Sequence, residues 1–337
     1  MASELPETSP TRPQLPANLA NELWQRYAAQ QKRKITEPAP SQSPSEIRPE
    51  DYLSFTTHLK SSTRILGLFG AGLSAASGIP TFRGAGGFWR EYDSMTLATP
   101  SAFSKNPALV WQFYSYRRHC ALRAKPNKAH LALAELAKKK PDFFSISQNI
   151  DGLCQRADHP AGNIQTVHGS LFSNRCTECT YVENDNFTDP LVPAFALPDD
   201  VDPSDPEFPL KDIPVEDLPR CPECAALLRP NVVWFGESLP QEAVTRIDDW
   251  IAGGGTPDKS KIDLMLVVGT SALVYPAAGY IHTARARGAR IAVFNMEEPT
   301  EEGPSSRLRD GDWFFKGDAA ILLPKLLKGI IGVVAEA

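Results

Sequence analysis

Four short runs of consecutive apolar residues punctuate the chain: RILGLFG (64–70), DFFSIS (142–147), LMLVVG (264–269) and RIAVFN (290–295). Runs of this length without polar alternation fit strands of a parallel sheet buried on both faces. Between them the apolar positions recur at a helical period, clearest in HLALAELAKKK (130–140) and AAGYIHTARARG (277–288). DYLSFTTHLK (51–60) predicts a helix ahead of the first strand. AAILLPKLLKGIIGVVA (319–335), broken by Pro324, Lys325 and Lys328, predicts an amphipathic terminal helix rather than a membrane span. Strand and helix in alternation predict a doubly wound α/β domain around a parallel sheet. That domain is expected over residues 51–337.

Two stretches depart from the pattern. Residues 1–48 are rich in Pro, Ser, Gln and charge, a composition expected to stay disordered for want of apolar surface to bury. NLANELWQRYAAQQKRK (18–34) is the one short helical pattern in it. The second departure is Pro-rich and acidic, TDPLVPAFALPDDVDPSDPEFPLKDIPVED (188–217), and predicts a small module inserted at 172–228 with its own staple.

Charge narrows the partners. The 337 residues carry a formal net charge of -5, which argues against a general nucleic-acid binder but leaves room for a local basic groove. The opening MASELPETSP has no apolar signal segment and is acidic, unlike a mitochondrial presequence. A cytosolic or nuclear monomer without a membrane partner is therefore expected, with the mitochondrion as the alternative compartment.

The staple is legible in the cysteines. Cys176 and Cys179 (CTEC) and Cys221 and Cys224 (CPEC) form two C-x-x-C knuckles, and two knuckles complete a tetrahedral, all-thiolate zinc site. Such a site has no open position, so its role is structural. Disulfides are the rival, disfavoured in a reducing compartment. A nucleic-acid-binding zinc ribbon is the functional rival, and the acidic linker between the knuckles counts against it. Cys120 and Cys154 are expected as thiols outside any disulfide.

After the first apolar run comes GLFGAGLSAASGIPTFRGAGGFWR (67–90). Gly70-Ala71-Gly72 directly behind a strand lets the backbone turn tightly and approach a pyrophosphate. A glycine-rich turn alone is a weak signal. Here the helix that should follow is cut short by Gly78-Ile79-Pro80, unlike the full helix of a simple dehydrogenase.

A third signal is VWQFYSYRR (110–118). Asn106-Pro107 is a helix start, with Asn as cap and Pro at the first helical position. Tyr114 and Arg117, three apart, share one helix face, while Phe113, Tyr116 and Cys120 lie on another. Taken alone, the pair reads as a surface ion pair beside core packing.

GAGLSAASGIPTFR (70–83) resembles the signature of the sirtuin family. The resemblance continues in the family's order through SQNIDGL (147–153), VHGSLF (167–172), both knuckles, RPNVVWFGE (229–237), VVGTSALVYPA (267–277) and VFN (293–295). It implies an enzyme that removes acyl groups from lysine while consuming NAD, releasing nicotinamide, free lysine and O-acyl-ADP-ribose. In that chemistry His168 is the general base, and an imidazole suits a proton transfer near neutral pH. Asn149 and Asp151 line the nicotinamide pocket beside Ile150, with Gln148 near the ribose. Gly70, Ala71, Gly72, Ser74, Ile79 and Pro80 border the cofactor. Phe82 shields its reactive face and Arg83 helps to order it. Gly269, Thr270 and Ser271 end a second strand at the same edge, Asn295 and Glu297 face the adenosine half, and the backbone around Ala319 closes over the adenine.

The acylated peptide is expected as an added strand between Val233, Phe235, Gly236 and Glu237 on one side and Val274 and Tyr275 on the other. FYSYRR further resembles the branch that removes malonyl, succinyl and glutaryl groups. There Tyr114 and Arg117 grip the distal carboxylate, and Ala85 leaves room for the longer chain. The alternatives are a deacetylase, a mono-ADP-ribosyltransferase attacking the same ribose carbon, or a silent NAD- or acyl-lysine-binding adaptor. His168, Asn149 and Asp151 together favour an enzyme.

Overall fold

The computed structural model describes residues 47–81, 87–196, 204–205, 207, 209–254, 260–271, 274–298 and 308–334. The N-terminal helical pattern at 18–34, along with Phe82, Arg83 and Ala85, lies outside the described residues. Helix α1 (Pro49–Ser61) opens with proline at its first position and Glu50 and Asp51 in the first turn, where the helix dipole favours acids. It leads into β1 (Ile65–Phe69). The glycine-rich stretch then forms two 3-10 turns, Ala71–Leu73 and Ala75–Ser77, ended by Gly78 at φ 81°.

A short hairpin of β2 (Phe88–Trp89) and β3 (Tyr92–Asp93) leads to α2 (Ser94–Leu97), α3 (Pro100–Lys105) and α4 (Pro107–Arg123). Asn106 caps α4 by accepting the Leu109 N–H at 3.0 Å. Next come α5 (Lys128–Lys139), β4 (Phe143–Ser147), α6 (Leu153–Arg156) and β5 (Ile164–Thr166). β6 (Gly169–Cys176), β7 (Val182–Glu183) and β8 (Leu228–Val232) form a separate antiparallel sheet with β6 central. The chain closes with α7 (Gln241–Ile251), β9 (Leu264–Val268), α8 (Gly279–Ala286), β10 (Arg290–Asn295), β11 (Trp313–Lys316) and α9 (Ala319–Ile331).

The large sheet has the order β11-β10-β9-β1-β4-β5, parallel throughout. The chain winds from β1 outward to β4 and β5, then returns to build β9, β10 and β11 on the other side. The direction reverses between β1 and β9, the place where open parallel sheets collect ligands at the strands' carboxyl ends.

Strand alternation divides the core cleanly. Ile65, Phe69, Leu264, Leu266 and Val268 join Phe55, Leu133, Leu322 and Leu326 on one face. Leu66, Leu68, Met265 and Val267 join Ile247 and Ile281 on the other. Both faces are apolar, which is why these strands read as unbroken apolar runs. A third core joins Trp111, Phe113 and Tyr114 of α4 to Leu171, Phe172 and Leu228 of the small sheet. Arg118, buried in α4, ties the two together by donating to the Leu171 carbonyl and to those of Asn186 and Thr188 at 2.8 and 2.9 Å.

Pro324 lies inside α9, yet Leu322, Leu323, Leu326 and Leu327 are buried while Lys325 and Lys328 face outward. Burial of that leucine face outweighs one missing N–H. Among the described residues no helix is long and apolar enough to cross a membrane.

Candidate active site

At the reversal point the loop after β1 meets the loop after β9, backbone against backbone. Gly70 N–H donates to the Val268 carbonyl at 2.9 Å, and Gly72 N–H to the Gly269 carbonyl at 2.8 Å. A Cβ on Gly70 would stand 2.6 Å from Thr270 Cβ, and one on Gly72 would stand 2.7 Å from Gly269 Cα. Gly269 itself has φ 60°, and its Cβ would meet Leu73 N at 2.3 Å. Only glycine allows this approach. Ser271, beside them, keeps a buried hydroxyl with no protein partner among the described residues, as a group awaiting a ligand would.

Beneath the loop lies a buried polar cluster. Ser74 Oγ donates to Asp151 Oδ2 at 2.7 Å, and Asp151 Oδ1 accepts the Leu153 N–H at 2.9 Å. Asn149 Nδ2 donates to the Gly70 carbonyl at 3.0 Å and to Ser74 Oγ at 3.3 Å. Gln148 reaches across to Thr270 Oγ1 at 3.2 Å, bridging the ends of β4 and β9. The structure thus brings Gly70, Gly72, Ser74, Gln148, Asn149, Asp151, Gly269 and Thr270 into one cleft, although they come from three separate segments.

His130 belongs to this cluster, and sequence reasoning passed it over. Its Nδ1 accepts the Asn127 N–H at 3.2 Å, which leaves the proton on Nε2, 3.4 Å from Ser74 Oγ. Burial pushes its pKa down to about 4, with Asp151 pulling it back up. The available signal was an Asn cap followed three residues later by a group able to return the bond, which reads as ordinary helix capping.

His168 follows β5. Its Nδ1 lies 3.0 Å from the Gln148 carbonyl, and a carbonyl only accepts, so Nδ1 carries the proton and Nε2 presents a lone pair. Burial lowers its pKa, and the Gln148 bond raises it. The His168 carbonyl accepts the Val233 N–H at 2.9 Å, which joins the imidazole segment to the stretch after β8.

That stretch, 233–237, is not a continuation of β8. Phe235 N–H donates to the Ala98 carbonyl at 2.9 Å, and Glu237 folds back to accept the Trp234 N–H at 2.8 Å. Val233 and Phe235 are partly buried and Gly236 is exposed at φ 92°. Tyr275 is 49% exposed.

Tyr114 is not a surface residue. It is 1% exposed, and its hydroxyl accepts the Trp234 Nε1–H at 2.9 Å. Burial pushes its phenol up to about 12, against the pull of the neighbouring Arg117. Arg117 is partly buried with its guanidinium carbon 5.6 Å from the Phe113 ring centroid. Burial disfavours its charge, and Tyr114 and Asp151 oppose that effect. The surface ion-pair reading of these two residues is therefore corrected. A 17-residue helix packed against the small sheet turns this face inward.

At the far end of the cleft, Asn295 ends β10, its carbonyl accepting the Gly317 N–H at 2.9 Å and its amide donating to the Glu297 carbonyl at 3.2 Å. This brings the start of α9, and with it the Ala319 backbone, beside Asn295. The Ala319 side chain points into the core. Ile79 is buried and Pro80 partly so, just before the undescribed residues. Ala71 and Ile150 are partly exposed beside the glycine loop and Asn149.

The four knuckle cysteines lie with all their Sγ atoms within 4.8 Å of one another. The separations are 3.4 Å for Cys176–Cys224 and 3.6 Å for Cys179–Cys221 and Cys179–Cys224. A tetrahedron of sulfurs about 2.3 Å from one zinc has edges of about 3.8 Å. The N–H groups of Glu178 and Cys179 point at Cys176 Sγ at 3.3 and 3.4 Å, as expected for a knuckle stabilising thiolate. The donor set fits one zinc ion. All six cysteines are described, and none is in a disulfide.

Comparison with known proteins agrees with this geometry. A model of the Sir2 family matches residues 70–276. A Candida albicans protein named NAD-dependent protein deacylase is 45% identical over 304 residues, 82% of this chain and 97% of that protein. The mitochondrial NAD-dependent protein deacylase sirtuin-5 of Canis lupus familiaris is 42% identical over 291 residues, 84% of this chain and 87% of its own. A solved Sir2 homologue–NAD complex superposes with a TM-score of 0.65 at 33% identity, covering 86% of this chain and 96% of its own. A Sir2 structure with a p53 peptide and NAD+ gives 0.62 at 28%, covering 82% and 96%. The chain belongs to the Sir2 family.

Proposed function

We propose that this NAD-dependent protein deacylase acts on acidic acyl groups, succinyl, malonyl or glutaryl, carried by lysines of proteins. One observation carries the reading: the buried Tyr114 phenol and the partly buried Arg117 guanidinium lie side by side on α4, and the guanidinium is near enough to Asp151 of the polar cluster to feel its charge. A planar guanidinium beside a phenol suits the carboxylate at the end of an acidic acyl chain, which would take paired hydrogen bonds from Arg117 and one from Tyr114. The sirtuin-5 names of several relatives point the same way.

NAD, when bound, supplies an electrophilic ribose carbon with nicotinamide as its leaving group. The chain's own residues do the rest. Gly70, Ala71, Gly72, Ser74, Ile79, Pro80, Gly269, Thr270 and Ser271 line the track for the dinucleotide, with Asn295, Glu297 and the Ala319 backbone at the adenosine end. Asn149, Ile150 and Asp151 hold the nicotinamide end, and Gln148 faces the ribose. His168 Nε2 takes a proton from a ribose hydroxyl, its tautomer held by the Gln148 carbonyl. The substrate peptide lies extended between Val233, Phe235, Gly236, Glu237 and Val274, Tyr275. Phe82, Arg83 and Ala85 keep the roles the family resemblance implies. Cys176, Cys179, Cys221 and Cys224 hold the structural zinc.

The mitochondrial label of the sirtuin-5 relatives supports the mitochondrion over the cytosol or nucleus as the working compartment. The test of the acyl reading is a panel of one peptide carrying acetyl-, malonyl-, succinyl- or glutaryl-lysine, with nicotinamide release as readout. Higher kcat/KM for the acidic members is expected, and a clear preference for acetyl would refute it.

A further inference from the structure

Tyr114 reaches its hydrogen-bond partner across 120 residues of sequence. Trp234 Nε1 donates to its hydroxyl oxygen at 2.9 Å, and the two rings lie 6.3 Å apart at 39°. Both side chains are buried. An indole N–H can only donate, so this bond has one possible direction. A lone pair of the phenol is taken, and the phenol's own hydrogen must point elsewhere.

The indole is held on several sides. The Arg229 guanidinium lies 3.3 Å from its ring centroid. Arg229 in turn forks onto Glu237 at 2.7 and 2.9 Å, and Glu237 accepts the backbone N–H of Trp234 itself. Phe103 packs on the ring at 5.3 Å between centroids. Turning the N–H away from Tyr114 would take the ring off the Arg229 guanidinium and open its packing on Phe103.

We infer that Trp234 is a specificity-determining positioning residue, whose indole N–H fixes the Tyr114 hydroxyl as a donor toward the carboxylate of the acyl chain. The inference rests on the acidic-acyl reading of Tyr114 and Arg117. A carboxylate is an acceptor only, so the pocket must offer donors and nothing else. A freely rotating phenol would present a lone pair in part of its rotamers, and Trp234 removes those rotamers. Burial keeps the phenol protonated at working pH, so the donor is always present. Acetyl has no group for this hydroxyl to meet, so the effect must appear as selectivity.

The experiment uses the full zinc-loaded chain with succinyl-, malonyl- and acetyl-lysine forms of one peptide. Trp234→Phe removes the N–H. Trp234→β-(3-benzothienyl)alanine also removes it, but keeps the bicyclic shape and so decides the matter if the phenylalanine variant folds poorly. Each is expected to lower the succinyl-to-acetyl ratio of kcat/KM by about five- to ten-fold, the range for one lost hydrogen bond. Combined with Tyr114→Phe, either change should lower the ratio no further than Tyr114→Phe alone, because both act through one hydroxyl. An unchanged ratio, or losses that multiply in the double variant, overturns the inference. If the unaltered protein shows no acidic-acyl preference, the acyl reading fails and this inference with it. A preference that both Trp234 changes leave undiminished overturns the positioning role alone.

Discussion

The large sheet and the small sheet border the same cleft but depend on different interactions. β1, β4 and β9 are buried along their whole length, and their order is held by apolar side chains on two faces. The loops at their carboxyl ends bring glycine backbone into close contact and set the side chains of Ser74, Gln148, Asn149 and Asp151 beside it. The small sheet has three strands and is irregular, with a register shift between Gly169 and Asn174, and it is bounded by four cysteines. It contributes charged side chains, Arg175 and Arg229 around Glu237. One sheet positions by packing and the other by charge and metal. Their variants should therefore fail in different ways.

Metal removal tests the difference most severely. Chelation, or Cys221→Ser, should abolish activity while the large sheet stays folded, since a structural zinc supplies much of a small module's folding free energy. Hydrogen exchange is the measurement. Amides of β6 and β8 should lose protection, and those of β1, β4 and β9 should keep it. A metal-free protein that is fully active would mean that the small sheet stands on packing alone.

Next in size is His168→Ala. The folded state should survive, because the ring's bond within the described protein is to a carbonyl at the cleft edge. Nicotinamide-coupled acyl removal should fall by about 100-fold or more, the usual range for a lost general base. Near-normal turnover would take this imidazole out of the reaction.

Arg117→Met probes the charged side of the comparison. The succinyl-to-acetyl ratio should fall by about 30-fold or more, since truncating one partner of a charge-assisted pair costs about 2 to 5 kcal/mol. Arg117→Lys should not restore it, because an ammonium lacks the planar fork. Equal losses on both substrates would show that the guanidinium supports the fold rather than the acyl chain.

How far the sequence disclosed these parts follows from the kind of interaction. The four apolar runs became β1, β4, β9 and β10 because burial on both faces leaves a local signature. The glycine loop and the knuckles were legible for the same reason, each being a spacing within a few residues. Tyr114 looked like a surface residue because its concealment depends on Trp234, which no local pattern connects to it. His130 was hidden by its double use, capping α5 with one nitrogen and reaching Ser74 with the other. The glycine-rich stretch gave 3-10 turns where a short helix was expected, because Gly72 and Gly269 pull the loop onto β9. Long-range contacts leave the weakest trace in sequence.

Acid gives the mildest perturbation and separates the same two regions by titration. His130 and His159, packed on the large sheet, are pushed down to about 4 by burial, with Asp151 opposing for His130 and the Asn163 bond for His159. In the unfolded chain both rings titrate near about 6.5. Between these values the unfolded state binds more protons than the folded one, so unfolding free energy falls as pH falls through that window. The contribution of the neutral rings is complete above the upper value and is lost as pH falls through the lower one. In the proposed mechanism His168 works in its neutral form, and so follows a different rule. Burial lowers its pKa, so the acid limb of kcat/KM should have its midpoint below 6.5. Melting temperature and kcat/KM, both followed from pH 8 to 5 on zinc-loaded protein, check the pair of statements. Tm should already be declining at pH values where kcat/KM still holds its plateau. An activity midpoint above 6.5 would mean that an anionic neighbour, rather than burial, governs the cleft imidazole when substrate is bound.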